Sequence, residues 1–359
     1  MKIGIIGLQN SGKTTIFNAL TGLEAEITSY SSQKLEPNIG VVQVPDERID
    51  WLSEHYQPKK TIFTHIEFID FVGLSSSEQG SDAFSGEALG LIKNTDALAV
   101  VVRNFSDEII DQSQGEPSPE NDIDQIIEEM IISDLILVEK RLERIEKDKK
   151  RGNINAEIQA EEHVLKRIQK KLNASEPVRE LEMHHEEQKL IRGFRLLTEK
   201  PVMIILNSDE NNFGNNTELL NRIEQKQRII ELAGSFEMEL SKLEDEEAKL
   251  FMEDMNISES AINRLIRFAY EMMGLISFFT VGKDEVRAWT ITKGENAVEA
   301  AGKIHTDLAR GFIRAECFRY SDLREYGSEK VLREKGLFKL EGKNYLVQDG
   351  DILNIRFSV

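Results

Sequence analysis

One cysteine, Cys317, occurs in the 359 residues, which excludes an intramolecular disulfide and fits a reducing compartment. No basic or histidine residue adjoins it, so it reads as a small buried hydrophobe rather than a reactive thiol. Apolar runs are short: none approaches the roughly 18 residues of a membrane span. Lys2 is followed at once by a strand-like run at 3–8, which leaves no room for a signal peptide, and a cytoplasmic protein is the expectation. Basic residues are outnumbered, 45 Lys+Arg against 64 Asp+Glu, and the formal charge of -19 argues against non-specific wrapping of nucleic acid. The deficit is uneven. Residues 275–359 hold 14 Lys+Arg against 13 Asp+Glu, so an RNA contact is to be sought there or on the helical arm described below. Cys/His clusters are missing as well. His184 and His185 are adjacent, point about 100° apart on a helix and make no metal pair. No Ser/His/Asp set suggests nucleophilic catalysis, and no internal repeat or low-complexity tract is present.

What the chain does contain is a series of apolar runs at 3–8, 62–71, 97–102 and 202–206, which read as buried parallel strands of a doubly wound sheet. Between the third and fourth, the stripe Ile123, Ile127, Met130, Leu135, Val138, Leu142 and Ile145 predicts an amphipathic helix, broken at Arg151-Gly152-Asn153. A second stripe, Ile158, Val164, Leu165, Ile168 and Leu172, completes a helical hairpin with a coiled-coil-like seam, inserted into the sheet domain. From 275 onward, alternating strands at 286–291, 345–347 and 352–357 surround a helix at 297–305, the texture of a compact α+β module. The expected division is 1–120 and 196–274 for the nucleotide domain, 121–195 for the arm and 275–359 for the last module.

Gly7-Leu8-Gln9-Asn10-Ser11-Gly12-Lys13-Thr14 fits G-x-x-x-x-G-K-[ST], with a strand before it and a helix after it. The chemistry requires this order. The loop from Gly7 through Asn10, Ser11 and Gly12 turns its amides inward around a β-phosphate, and the helix start at Thr14 and Thr15 adds positive potential. Lys13 then bridges β- and γ-phosphates, while the Thr14 hydroxyl ligates Mg²⁺. Downstream, Asp70-Phe71-Val72-Gly73 closes an apolar strand in the Walker B and switch II pattern, where Asp70 holds the Mg²⁺ shell and the Gly73 amide meets the γ-phosphate. After the strand at 202–206, Asn207-Ser208-Asp209-Glu210 stands where GTPases carry N-K-x-D. Glu210 is one methylene longer than the aspartate that pairs with guanine, and Ser208 replaces the stacking lysine, so guanine selectivity is expected to be weak or lost.

At this point the sequence resembles the Obg-like ATPase (YchF) family, a branch of the P-loop GTPase superfamily that prefers ATP. The likeness runs along nearly the whole chain: GLQNSGKTTIFNALTG, LEPNIGVV at 35–42, DFVGL at 70–74, VEKRLERIEK at 138–147, KPVMIILNSDE at 200–210 and FFTVGKDEVRAWTITKG at 278–294. The stretches AAGKIHTDLARGFIRAE and VQDGDILNIRFSV resemble the family's C-terminal TGS module, a β-grasp domain. The resemblance implies an α/β P-loop NTPase with a coiled-coil insertion and a TGS domain, and base contacts at Asn207 and Glu210. It also implies association with ribosomes or RNA. Asn10 matches a position that binds K⁺ in related potassium-stimulated GTPases; side-chain bonds that hold the loop are the alternative role for it.

The chain also departs from the pattern. The family's T-I-E-P-N becomes Lys34-Leu35-Glu36-Pro37-Asn38, and an ammonium cannot ligate a cation, so this switch is not expected to close over Mg²⁺ in the family manner. Leu74 stands where Ras-like GTPases place a glutamine, the lysines of the family's second switch are gone from 75–90, and Asp111 stands where the resemblance puts a loop histidine. The expected function is therefore a slowly hydrolysing ATP-binding protein with Mg²⁺. A nucleotide-binding module with little turnover and a GTP-binding protein of relaxed base selectivity are the alternatives.

Overall fold

The computed structural model describes every residue except 24, 26–36, 72–85, 154, 244, 255–258 and 359. Gly73, Lys34, Leu74 and most of the second switch, 75–85, thus lie outside the described residues. The chain runs β1 (Lys2–Ile6), α1 (Lys13–Thr21), β2 (Asn38–Gln43), α2 (Glu47–Tyr56), β3 (Lys60–Ile62), β4 (His65–Asp70), α3 (Gly86–Ile92), β5 (Ala97–Asn104) and α4 (Glu108–Gln114). Then come α5 (Pro119–Lys150), α6 (Ala156–Asn173), α7 (His185–Ile191), β6 (Val202–Ser208), α8 (Thr217–Glu224), β7 (Arg228–Leu232) and α9 (Gly234–Leu240). After α10 (Asp245–Asp254) and α11 (Ala261–Met272) follow β8 (Leu275–Val281), β9 (Glu285–Thr292), α12 (Ala297–Ile304), α13 (Thr306–Arg310) and β10 (Phe312–Arg319). The last elements are α14 (Tyr320–Tyr326), α15 (Glu329–Glu334), β11 (Lys339–Glu341) and β12 (Asp351–Phe357). Two compact units result: Met1–Val42 with Glu67–Ile262, and Gln43–Ile66 with Asn263–Val359.

In the first unit the strand order is β2-β4-β1-β5-β6-β7, and the pairs from β4 to β7 are all parallel. Every residue of β5 and β6 is buried, which is why these strands read as unbroken apolar runs rather than alternating ones. In such a sheet the loops after the strands' carboxyl ends build the ligand site. The P-loop, Asp70 and Asn207 all lie at those ends.

α5 joins two cores. Ser118 and Pro119 open it, Glu120 and Asp122 lie in its first turn, and Lys147, Lys149 and Lys150 lie in its last, matching the helix dipole at both ends. Ile123, Ile126 and Met130 pack into the sheet core with Val100, Val102 and Leu206. Farther along, Val138 and Ile145 pack against Val164, Leu165, Ile168 and Leu172 of α6. The seam predicted from the two stripes is thus present. Between the two cores the buried Asp134 accepts the Leu197 amide (2.9 Å), the Thr198 amide (2.8 Å) and the Thr198 hydroxyl (2.7 Å), pinning the chain's return to the sheet. Burial pushes its carboxyl up, and those three hydrogen bonds oppose the shift.

The second unit holds a mixed sheet, β11-β10-β12-β8-β9-β3. Adjacent residues of β8 face opposite ways, as the period of a strand requires. Phe279 packs with Ile49, Leu52 and Leu323, whereas Phe278 packs with Ala297, Ala300 and Ala301 of α12. This corrects two readings of the sequence. The run 62–71 is not one strand: β3 pairs with β9 of the second unit and β4 with β1 of the first. Residues 43–66, placed with the nucleotide domain, group instead with the C-terminal unit, because α2 buries Ile49 and Leu52 in its core. Cys317 is buried as expected, and desolvation pushes its thiol up to about 12, so it stays protonated and inert.

Candidate nucleotide-binding site

β1 ends at Ile6 and the chain turns through the loop into α1. A Cβ on Gly7 would lie 2.4 Å from the Val101 carbonyl oxygen and 2.8 Å from Ser11 Oγ, so only glycine allows β5 to approach this closely. Asn10 sits in the left-handed region (φ 62°), which asparagine tolerates. Gly12 caps α1 with φ 88°, no side chain caps the helix, and a Cβ there would lie 2.1 Å from Asn207 Nδ2. The Ile16 amide closes onto Gly12 O (3.0 Å), so the amides of Lys13, Thr14 and Thr15 precede the helical ladder. A turn of N–H groups without helical partners at a helix start is an anion site.

Side chains complete it. Lys13 Nζ donates to Gly7 O (3.0 Å) and Leu8 O (2.7 Å), stretching the ammonium across the loop with one donor to spare. Burial lowers its pKa from 10.5 to about 8, and the charge of Asp70 works in the opposite direction. Thr14 Oγ1 donates to Asp70 Oδ2 (3.0 Å), and Asn38 Nδ2 donates to the same oxygen (3.4 Å). Asp70 is fully buried. Desolvation raises its pKa against the pull of Thr14, Asn38 and Lys13. Its Oδ1 and Ser11 Oγ are buried without a hydrogen-bond partner among the described residues. A hydroxyl, a carboxylate and an unspent acceptor, all hard oxygens, form a donor set that fits Mg²⁺. Among the described residues no cluster of three His, Cys, Asp or Glu side chains offers a rival metal site.

At the far side of the loop, Asn207 Nδ2 donates to Ser11 O (3.0 Å) while its Oδ1 accepts the Gly234 amide (3.1 Å). Asn207 therefore ties the phosphate loop to the turn after β7, a positioning role that the sequence reading, which gave it a base contact, did not include. Asp209 Oδ1 accepts the amides of Asn211 and Asn212 (both 3.0 Å), which spends that carboxylate on its own turn. Glu210 is exposed at the same turn. Ser208 points into the protein. It is buried, donates to Glu231 Oε1 (2.6 Å) and accepts from Asn104 Nδ2 (2.9 Å), and Glu231 also accepts from Asn216 Nδ2 (2.5 Å) and the Gly214 amide (3.2 Å). Asp111 is likewise committed: it pairs with the buried guanidinium of Arg103 (2.7 Å), whose other arm donates to Gly115 O (2.5 Å).

The fold thus brings together Gly7, Ser11, Gly12, Lys13, Thr14, Asp70 and Asn207. Asn38 and Gly234 were missed as parts of the site. Asn38 had a signal, its place in LEPNIGVV, while Gly234 is identifiable only through the side chain that reaches it.

A family profile described as a 50S ribosome-binding GTPase matches residues 2–141, and one described as a protein of unknown function (DUF933), named for the C-terminal part of YchF GTPases, matches 275–358. The ribosome-binding ATPase YchF of Bacillus subtilis (strain 168) is 39% identical over 363 residues, covering 99% of either chain. That of Pasteurella multocida (strain Pm70) is 38% identical, covering 100% of this chain and 99% of its own. The solved structure of the Schizosaccharomyces pombe YchF GTPase matches with a TM-score of 0.83 at 32% identity, over 99% of this chain and 97% of that one.

Proposed function

The chain belongs to the YchF family, and from that premise we propose that it binds ATP at the loop from Gly7 to Thr14 and hydrolyses it slowly as a nucleotide-regulated factor on ribosomes or ribosome-associated RNA. The observation that carries the reading is the shared geometry of Lys13, Thr14, Asp70 and Asn207 around one loop. Lys13 would exchange its loop carbonyls for phosphate oxygens. Thr14 would ligate Mg²⁺ and Asp70 would hold its water shell, and the ion, when bound, neutralises charge on the β- and γ-phosphates. Gly73 is assigned to the γ-phosphate by its motif alone. K⁺ is assigned to Asn10, whose side chain has no hydrogen bond among the described residues. The proposed organisation keeps the three parts read from the sequence, with residues 43–66 moved to the C-terminal module, and the proposed location is the cytoplasm. Among the described residues no helix is long and apolar enough to cross a membrane.

Adenine rather than guanine is supported at the turn after β6. Asp209 Oδ1 accepts the Asn211 and Asn212 amides and Ser208 is buried, so neither stands in for the guanine-binding aspartate or the stacking lysine, and the exposed Glu210 is one methylene longer than that aspartate. Titration of the protein with labelled ATP and GTP in Mg²⁺, with and without K⁺, tests this; a clear preference for GTP overturns the adenine assignment. Slow turnover is supported by Asp111, whose carboxylate is held by Arg103 where the resemblance puts a histidine.

A further inference from the structure

We propose that the outer face of α5 is an RNA-binding surface, on which Lys140, Arg144, Lys147 and Arg151 contact consecutive phosphates. The inference rests on the ribosome reading above and names the chemistry of the contact. The four residues are spaced 4, 3 and 4 apart, so at 3.6 residues per turn they share an arc of about 60° and span about 16 Å along the helix. Val138 and Ile145, buried against α6, lie on the opposite face. All four cations are exposed, and among the described residues none has an ion-pair partner. Glu143 and Asp148 border the stripe without pairing across it.

The neighbouring cations behave differently. Arg141 pairs with Glu161, Lys149 with Glu162 and Lys150 with Glu146. On α6, Lys166 pairs with Glu162, Arg167 with Glu187 and Lys171 with Glu176. Acidic residues are abundant in a chain of charge -19, yet among the described residues these four cations have no ion-pair partner. The helix dipole accounts for cations in the last turn but not for Lys140 and Arg144 farther back. Like charges at helical spacing also destabilise a helix, and a linear polyanion relieves that repulsion while releasing its own counterions. A row of cations over three turns matches a phosphate backbone better than it matches a discrete acidic patch on a protein.

The test compares three full-length proteins binding to ribosomes and to protein-free ribosomal RNA across a salt series. They are the wild type, the variant K140Q/R144Q/K147Q/R151Q, and a control, K166Q/R167Q/K171Q, that removes cations already paired. Circular dichroism and melting confirm that each arm is folded, and K140R/R144K/K147R/R151K tests whether charge alone suffices. The stripe variant is expected to lose at least tenfold in affinity near 100 mM salt, with the slope of log K against log salt reduced by about three. The control and the charge-preserving variant keep the wild-type slope, and ATP turnover without ribosomes is unchanged in all. Equal slopes in the wild type and the stripe variant overturn the proposal and leave the ribosome reading standing. Salt-independent loss of ribosome binding, with RNA binding intact, assigns the face to a ribosomal protein and likewise overturns it. Wild type that binds RNA through the stripe but not ribosomes keeps the proposal and removes the ribosome reading, and wild type that binds neither removes both.

Discussion

The two ends of the nucleotide site are built from different materials. At the phosphate end the recognition elements are backbone: a Gly7 that no side chain could replace, a left-handed Asn10, a Gly12 cap and the first amides of α1, with Lys13 laid across them. At the proposed base end they are side chains, and Ser208 and Asp209 are drawn into the protein's own hydrogen bonds while Glu210 stays exposed. Ser208 and Glu231 serve a buried network with Asn104, Asn216 and the Gly214 amide, and Asp209 caps its own turn. A backbone cradle tolerates little variation because its geometry is its function. A side-chain pocket can be rewired while the loop that carries it keeps its shape. The phosphate end should therefore govern whether nucleotide binds and the base end how well bases are told apart.

The largest break in that contrast is Lys13→Ala. It removes the ammonium from the loop, and turnover is expected to fall by about 10²- to 10³-fold, the usual effect of losing a charge-stabilising donor; single-turnover assays with labelled ATP measure it, and retained turnover would move catalysis elsewhere. Next comes pH. In the free protein Lys13 titrates at about 8 because burial disfavours its charge, and a bound triphosphate raises that value. Binding then takes up a proton above pH 8, so affinity is full below 8 and falls by up to about tenfold per pH unit above it. Calorimetry at pH 7, 8 and 9 in buffers of different ionisation enthalpy reports the proton directly. The smallest effect on binding belongs to Glu231→Ala. It strips three donors of their acceptor and should cost about 2–3 kcal/mol of stability, read by urea denaturation. ATP affinity should change only a few-fold, and a loss as large as that of Lys13→Ala would erase the distinction between the two ends.

Much of this architecture was legible without coordinates. The P-loop spacing, the all-apolar β5 and β6, and the two helical stripes each encode a local geometry, and each appeared where its period placed it. Other features were hidden because their meaning depends on partners distant in the chain. Asn207 reads in the sequence as a base contact alone, and its bonds to Ser11 O and Gly234 N show only in the fold. Asp111 reads only as a departure from the family's loop histidine, and its ion pair with Arg103 shows only in the fold. The run 62–71 reads as one strand because apolarity does not say which sheet a residue joins.

By itself, then, the sequence determined that a phosphate-binding loop exists, that a helical arm interrupts the sheet domain and that the family is that of YchF, since backbone conformation and helical period follow from residue type and spacing. Only the tertiary structure decided which side chains remain free for ligand. A carboxylate or amide has the same potential for hydrogen bonding wherever it stands, and the fold determines whether protein groups consume that potential, as they do at Asp209 and Asn207, or leave it unspent, as at Asp70 Oδ1.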